Sequence, residues 1–318
     1  MLITQQSFTD FEDFSKTLGE YNFESHQLGR GKFSGTTLQV NTGKALLTHL
    51  TTNLALEVEG SPPRNMVTVG VPTATCRPFV WRHRHSNANT LQFYRPDSEL
   101  CVNSLGEFDA IDISFTEAHL QKVAEKLELT PVYTRLKHGS IMEINNDDLT
   151  ELRQLTQMLA GLALTKHPAR LESRLVHALE FTLPGTLLRI MQKRKTGGVG
   201  GRRTQDSLEA FKRVKLHIHN SDHEANIVTV SDLCNLTGMS DRTLQKVFVA
   251  QCGMTPKAYI RSVRLNRAHR ALLESHPATT KVSDIANSFG FWHIGQFAAD
   301  YRRLFSELPS ETLARSMS

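Results

Sequence analysis

Two groups of residues in this chain are of types that do chemistry. His83 and His85, in the run WRHRH, stand one residue apart. On a strand that spacing puts both imidazoles on one face, where they could share a metal ion. The next nine residues, SNANTLQFY, carry no carboxylate to serve as a third ligand. SNAN reads instead as the turn of a hairpin that starts just after His85. Neither a metal nor any other cofactor is therefore expected. The second group is Arg242, Gln245 and Lys246. Arginine and lysine can bond guanine O6 and N7, and glutamine can pair with adenine, so such residues on one helix face suit the reading of base edges. No GxSxG, Ser/His/Asp pattern, Walker loop or GxGxxG occurs. Nucleophilic hydrolysis, phosphoryl transfer and dinucleotide chemistry thus have no support.

What must position the second group is a repeated helical element. Residues 230–238, VSDLCNLTG, match residues 282–290, VSDIANSFG, at Val, Ser, Asp, Asn and Gly. Each copy has a small residue four before its glycine, Cys234 and Ala286, where one helix can cross close to another. Each is followed by an apolar pair four apart, Leu244 with Phe248 and Phe297 with Tyr301. Thr229 and Asp232 fit a capping box, and Gly238 and Gly290 can take the positive φ that stops a helix and turns the chain. The pattern predicts helix, tight turn and second helix, twice over. Thr255 and Pro256 read as N-cap and first residue of a joining helix running to about Glu274. Its length would be ~28 Å at 1.5 Å per residue, close to the ~34 Å between successive major-groove openings on one face of DNA. Arg261, Arg264, Arg267 and Arg270 recur along it, to face phosphates or to pair with Asp232 and Asp284.

Charge agrees with this placement. Residues 201–318 hold 16 Lys+Arg against 11 Asp+Glu, so the whole formal charge of +5 lies there. Such asymmetry is expected of a chain whose C-terminal part meets a polyanion. Residues 195–206, KTGGVGGRRTQD, contain four glycines and no periodic apolar residue, and read as a flexible linker. Upstream, residues 27–115 alternate apolar and polar in short runs such as NLALEVEG, MVTVGV and FDAIDISF, the pattern of β-strands in a sandwich or barrel. From Glu117 the period lengthens to that of helices, with Pro184 and Gly185 breaking or kinking the last. The four cysteines show no CxxC spacing and the N-terminus lacks an export signal, so a reduced, cytoplasmic protein off the membrane is expected.

The C-terminal region, about residues 205–315, resembles the DNA-binding domain of AraC/XylS-type transcriptional regulators. The resemblance rests on the paired helix-turn-helix units, on GMTPKAYIRSVRLNRAHRAL between them, and on VSDIANSFGFWHIGQFAADYRRLFSELPSETL at the close. Upstream, YNFESHQLGRGKFSGTTLQV, TTNLALEVEGSPP and MVTVGVP look like the cupin-like sensor domain often attached in this family. The fold implied is a two-domain α+β chain. Residues 1–194 would form a cupin-like β-barrel or sandwich with following helices, and 207–318 an all-α domain with two helix-turn-helix units. The function implied is sequence-specific regulation of transcription, as an activator, controlled by an effector or by dimerisation. The partners implied are double-stranded DNA in adjacent major grooves, RNA polymerase, a small-molecule effector and a second copy of the chain. Carried over by position, DNA contacts fall to Arg242, Thr243, Gln245, Lys246, His293, Gln296, Ala299, Arg302 and Arg303. A helical wheel independently turns Arg242, Lys246 and Val249 away from Leu244 and Phe248. Many relatives carry larger polar residues at the positions of Gly295 and Ala299, so the second unit is expected to supply position and shape readout. Asp300 is expected to pair Arg303 or an arginine of the joining helix. For an anionic or aromatic effector the candidate residues are Arg30, Lys32, Arg77, Trp81, His83 and His85. No enzyme activity is expected; the alternative is a metal-dependent cupin enzyme fused to a nucleic-acid-binding domain.

Overall fold

The computed structural model describes residues 1–96, 98–136, 141–165, 169–193, 202–220 and 228–315. They fall into two compact units.

The first unit is built on antiparallel sheets. The strands are β1 (Leu2–Phe8), β2 (Asn22–Gln27), β3 (Gly35–Asn41), β4 (Ala45–Thr52), β5 (Leu56–Ser61), β6 (Met66–Pro72), β7 (Phe79–Trp81), β8 (Arg84–Ser86), β9 (Thr90–Tyr94), β10 (Leu100–Ser104), β11 (Phe108–Thr116) and β12 (Ile141–Glu143), of which residues 25–27 of β2 and 56–57 of β5 count with the second unit. Seven of them make one sheet in the order β1-β3-β4-β11-β6-β9-β12, and five make a second in the order β2-β5-β10-β7-β8. The fold is thus two open sheets rather than a closed barrel. Helices α1 (Phe11–Thr17), α2 (Glu117–Lys126), α3 (Thr130–Leu136), α4 (Asn146–Ala163), α5 (Ala169–His177) and α6 (Leu183–Gln192) complete the unit.

Alternation along β11 decides which side each layer covers. Ile111, Ile113 and Phe115 join a core with Leu120 of α2, Leu152 of α4 and Leu187 of α6. Phe108, Ala110, Asp112 and Ser114 therefore face the other way, toward the second sheet. Ring contacts confirm that direction: Phe79 of β7 meets Phe108 at 5.2 Å, and Trp81 of β7 meets Tyr94 of β9 at 5.4 Å.

Three local expectations change. The run FVWRHRH is two strands, because Arg82 and His83 take φ of 44° and 63° and form a two-residue hairpin turn between β7 and β8. SNAN is a second turn, before β9. The polar-looking N-terminus contributes β1, which pairs with β3 from Leu2↔Asn41 to Phe8↔Gly35. Between α5 and α6 the chain passes through a π-helical turn, Ala178–Thr182, so the irregularity falls just before Pro184, which sits in the first turn of α6. The helix runs on through this turn, so the N–H that Pro184 lacks leaves the Glu180 carbonyl without its helical donor, and that carbonyl meets His119 Nε2 at 2.6 Å instead.

The second unit is helical: α7 (Arg202–Asn220), α8 (Val230–Thr237), α9 (Asp241–Cys252), α10 (Pro256–Glu274), α11 (Val282–Ser288), α12 (Ile294–Phe305) and α13 (Pro309–Arg315). Helix α7 begins at Arg202, inside the stretch expected to be linker; residues 195–201 lie outside the described residues. The unit is also discontinuous in sequence, for it includes residues 25–33 and 54–57 as well as 199–318. This departs from a division into 1–194 and 207–318, and the cause is visible in the core. Leu28 is buried with Phe211 and Val214 of α7, Leu244 and Phe248 of α9, and Tyr259 of α10. Segments as short as residues 25–33 and 54–57 cannot announce such a partner by periodicity.

Candidate nucleic-acid interface

Helix α8 starts with the capping box expected of it: the Thr229 hydroxyl accepts from Asp232 N–H, and the Asp232 carboxylate accepts from Thr229 N–H at 2.8 Å. It stops at Gly238, whose φ of 70° turns the chain. Ser240 caps α9 by accepting from Thr243 N–H at 3.3 Å. Leu244 and Phe248 point inward, fully buried. Arg242, Thr243, Gln245, Lys246 and Val249 are all exposed. The Gln245 amide donates to Asp241 at 3.3 Å, a surface contact that a base could displace.

The joining helix α10 runs 19 residues from the Thr255 cap and Pro256. Its arginines do not pair with Asp232 or Asp284. Arg261 meets Asp300 of α12 at 3.4 Å. Arg264 donates to the carbonyls of Phe289, at 2.7 Å, and of Gly290, and lies over the Phe291 ring at 4.4 Å. Arg267 donates to the carbonyl of His219 at 2.5 Å. Two of these cations thus brace carbonyl oxygens that a turn or a helix end leaves without internal partners.

In the second unit of the repeat, Ala286 is fully buried where the helices cross, and Gly290 turns with φ of 71°. On α12, Phe297, Asp300, Tyr301, Leu304 and Phe305 are buried, while Gly295, Gln296, Ala299, Arg302 and Arg303 are exposed. His293 is exposed at the N-cap but makes no side-chain cap bond. A Cβ built on Gly295 would meet nothing within 4 Å, so no packing demand of the protein keeps that position small. Asp300 pairs both Arg303 and Arg261, each at 3.4 Å, and so ties the recognition face of α12 to α10. Exposed Trp292, 61% accessible, stands just before α12 and escaped the reading of the sequence.

Residues 25–33 and 54–57 brace this unit from inside. Gln27 N–H donates to Asn266 Oδ1 of α10 at 2.7 Å, and the Gln27 amide donates to the Leu304 carbonyl near the end of α12, also at 2.7 Å. Glu57, fully buried, ion-pairs with Lys215 of α7 at 2.7 Å and accepts from the Tyr259 hydroxyl of α10 at 2.7 Å. Burial alone would raise the Glu57 carboxyl; Lys215 and His219 beside it hold it well below the usual carboxylate range. Burial pushes neighbouring His26 down to about 3, so its imidazole is neutral at ordinary pH.

The effector candidates are not brought together. Arg30 and Lys32 belong to the helical unit, the other four to the β-unit. Arg77 is exposed and lies 3.9 Å from Glu107, His85 is exposed on β8, His83 is buried in the hairpin turn, and Trp81 is buried against Tyr94. The turn between them takes His83 and His85 off a common strand face.

Two helix-turn-helix units with exposed polar second helices, joined by one long helix, define a DNA-binding domain. A family model described as a helix-turn-helix domain matches residues 233–315. Over 106 residues the chain is 37% identical to a XylDLEGF operon transcriptional activator of Pseudomonas putida, covering 33% of this chain and 31% of that protein. It is 36% identical over 91 residues to a probable thc operon regulatory protein of Rhodococcus erythropolis, covering 29% and 27%. A solved probable AraC family transcriptional regulator from Rhodopseudomonas palustris is 41% identical, covering 34% of this chain and 97% of that one, with a TM-score of 0.29. By its C-terminal helix-turn-helix region the chain belongs to the AraC/XylS family. The match spans less than a third of the length of the first two relatives, and both are named for operon regulation.

Proposed function

We propose that this chain is a one-component transcription regulator that binds double-stranded DNA with α9 and α12 in adjacent major grooves. The observation that carries the reading is the pair of exposed polar faces on α9 and α12, separated by a 19-residue helix of matching length. Arg242, Thr243, Gln245 and Lys246 read base edges in the first groove. In the second, His293 and Gln296 approach the bases, Ala299 meets a thymine methyl, and Arg302 and Arg303 hold phosphates. Trp292 extends that face with an apolar contact.

The β-unit, with its two open antiparallel sheets, governs this activity by binding an effector or by pairing two copies of the chain. Action as an activator in the cytoplasm, through RNA polymerase, accords with relatives named as transcriptional activators. No helix among the described residues is long and apolar enough to cross a membrane.

Competition binding tests the reading. A genomic site selected by the protein should outcompete random DNA by roughly 10³ or more. Specific and random sites within about tenfold of each other would make the protein a nonspecific nucleic-acid binder instead.

A further inference from the structure

Strand register places five residues in one row across the seven-stranded sheet: Gln39 of β3, Thr48 of β4, Asp112 of β11, Gly70 of β6 and Gln92 of β9. All are on the side that faces the second sheet. The space between two sheets is ordinarily filled by apolar side chains, because a buried polar group without a partner costs free energy. Here the next row adds Ser114 and Thr68, whose hydroxyls bond each other at 2.8 Å, and then Tyr94.

The polar row is arranged rather than merely tolerated. The Gln92 amide nitrogen is fixed by Ser86 and by the Thr90 hydroxyl at 2.8 and 2.9 Å, which turns its Oε1 over Gly70. A Cβ on Gly70 would lie 3.0 Å from that oxygen and 3.3 Å from Asp112 Oδ1. Two acceptors therefore converge above a residue without a side chain. The other oxygen of Asp112 accepts from the Tyr21 hydroxyl at 3.1 Å, with Thr48 and Ser114 flanking that phenol. Among the described residues no cation pairs with Asp112, and neither Asp112 Oδ1 nor Gln92 Oε1 has a hydrogen-bond donor. Desolvation pushes the Asp112 carboxyl up to about 7, yet the residue is only half-buried. Asp112 keeps accessible surface on the side that faces the second sheet, so a hollow rather than packed atoms lies beside its free oxygen. Tyr21 and Tyr94 beside it are pushed up and stay protonated, while Arg82 and Cys101 act on Tyr94 rather than on Asp112.

We propose that this hollow in the β-unit binds a small organic ammonium ion, its N–H groups donating to Asp112 Oδ1 and Gln92 Oε1 over Gly70, beside the Tyr21 and Tyr94 rings. A carboxylate and an amide oxygen, neither of them paired with a cation among the described residues, complement a protonated amine. The proposal rests on the effector reading above, and replaces the anionic class that the arginines and histidines suggested.

The test uses the full chain with methylammonium, n-propylammonium, 1-propanol and propionate, followed by calorimetry and thermal denaturation. One or both amines should bind saturably and raise the Tm, while the alcohol and the acid do neither. Asp112→Asn and Gly70→Ala should each weaken the amine at least tenfold. On saturation the Asp112 carboxyl resonance should titrate well below its value in the free protein. Equal responses to 1-propanol, retained amine affinity in both variants, or no binding by either amine up to ~10 mM would overturn the proposal. Should Asp112→Asn fail to fold, Gly70→Ala and the carboxyl titration still decide. Saturable amine binding without any change in operator affinity would leave the site standing and remove the effector reading.

Discussion

Individual side chains in the DNA-facing surface divide by what they touch, and the division can be measured. Arg242 is exposed, and among the described residues no carboxylate pairs with it, so its guanidinium can reach a guanine edge. Arg242→Ala should cost about 1–3 kcal/mol at the selected operator and relax preference at one base pair. Arg303 is held by buried Asp300 and is proposed to hold a phosphate; Arg303→Ala should weaken all sequences nearly equally and flatten the salt dependence by about one ion. Loss of affinity in both variants with no change of preference would show that α9 does not read bases. At the same scale His26 makes a pH prediction. Its folded value, about 3, lies below the ~6.5 of an unfolded histidine. Below pH ~6.5 the unfolded chain takes up a proton that the folded chain refuses, so stability falls with pH down to about 3, by up to ~1.4 kcal/mol per pH unit. Denaturant titrations of wild type and His26→Phe across pH 4–7 should show the steeper loss in wild type.

Helices carried their own signals in the sequence, and partners across space did not. Caps, turn glycines and apolar spacing fixed α8 to α12 because each is a local demand of helix geometry: Thr229, Ser240, Thr255, Gly238 and Gly290 all stand where the backbone needs them. Asp300 was legible as a partner of Arg303 three residues on, since that spacing faces one side of a helix. Arg264 was not. Its partners are carbonyls 25 and 26 residues away, and no periodicity marks a turn that needs a guanidinium. Similarly, WRHRH reads as one strand until Arg82 and His83 are seen with positive φ, which their residue types disfavour. The bracing of Phe289 and Gly290 yields an element-level prediction. Arg264→Ala leaves two turn carbonyls and the Phe291 face uncovered, and should destabilise the second helix-turn-helix by about 2 kcal/mol. Operator affinity should fall with it, although Arg264 faces the turn rather than the DNA. Amide exchange read across residues 286–300 checks this: opening confined to that stretch is expected, and unchanged protection there would refute the bracing role.

For the molecule as a whole, the informative departure is that its helical unit is not a continuous stretch of chain. Residues 25–33 and 54–57 complete it, and they do so with groups that cannot be removed without consequence. Leu28 fills a core position between α7, α9 and α10. Gln27 joins Asn266 of α10 to Leu304 of α12, fixing the helix that spaces the two recognition helices against the second of them. Glu57 neutralises Lys215, which is 5% exposed on its side chain. A fragment that starts at Val199 lacks all three. It must leave an ammonium group buried without its carboxylate, a change that costs about 3–5 kcal/mol in comparable pairs, in addition to the cavity left by Leu28, for which leucine deletions suggest about 2–5 kcal/mol. Together these approach the ~5–15 kcal/mol that holds a domain folded. The fragment should therefore be largely unfolded at 37 °C by circular dichroism and bind operator weakly. Lys215→Met removes the unpaired charge while keeping the length of the side chain, and should recover several kcal/mol in the fragment. In the full chain the same substitution strands Glu57 instead and should destabilise. A fragment as stable as the full chain, or Lys215→Met acting with the same sign in both, would show that the two N-terminal segments are decoration on a self-sufficient helical domain.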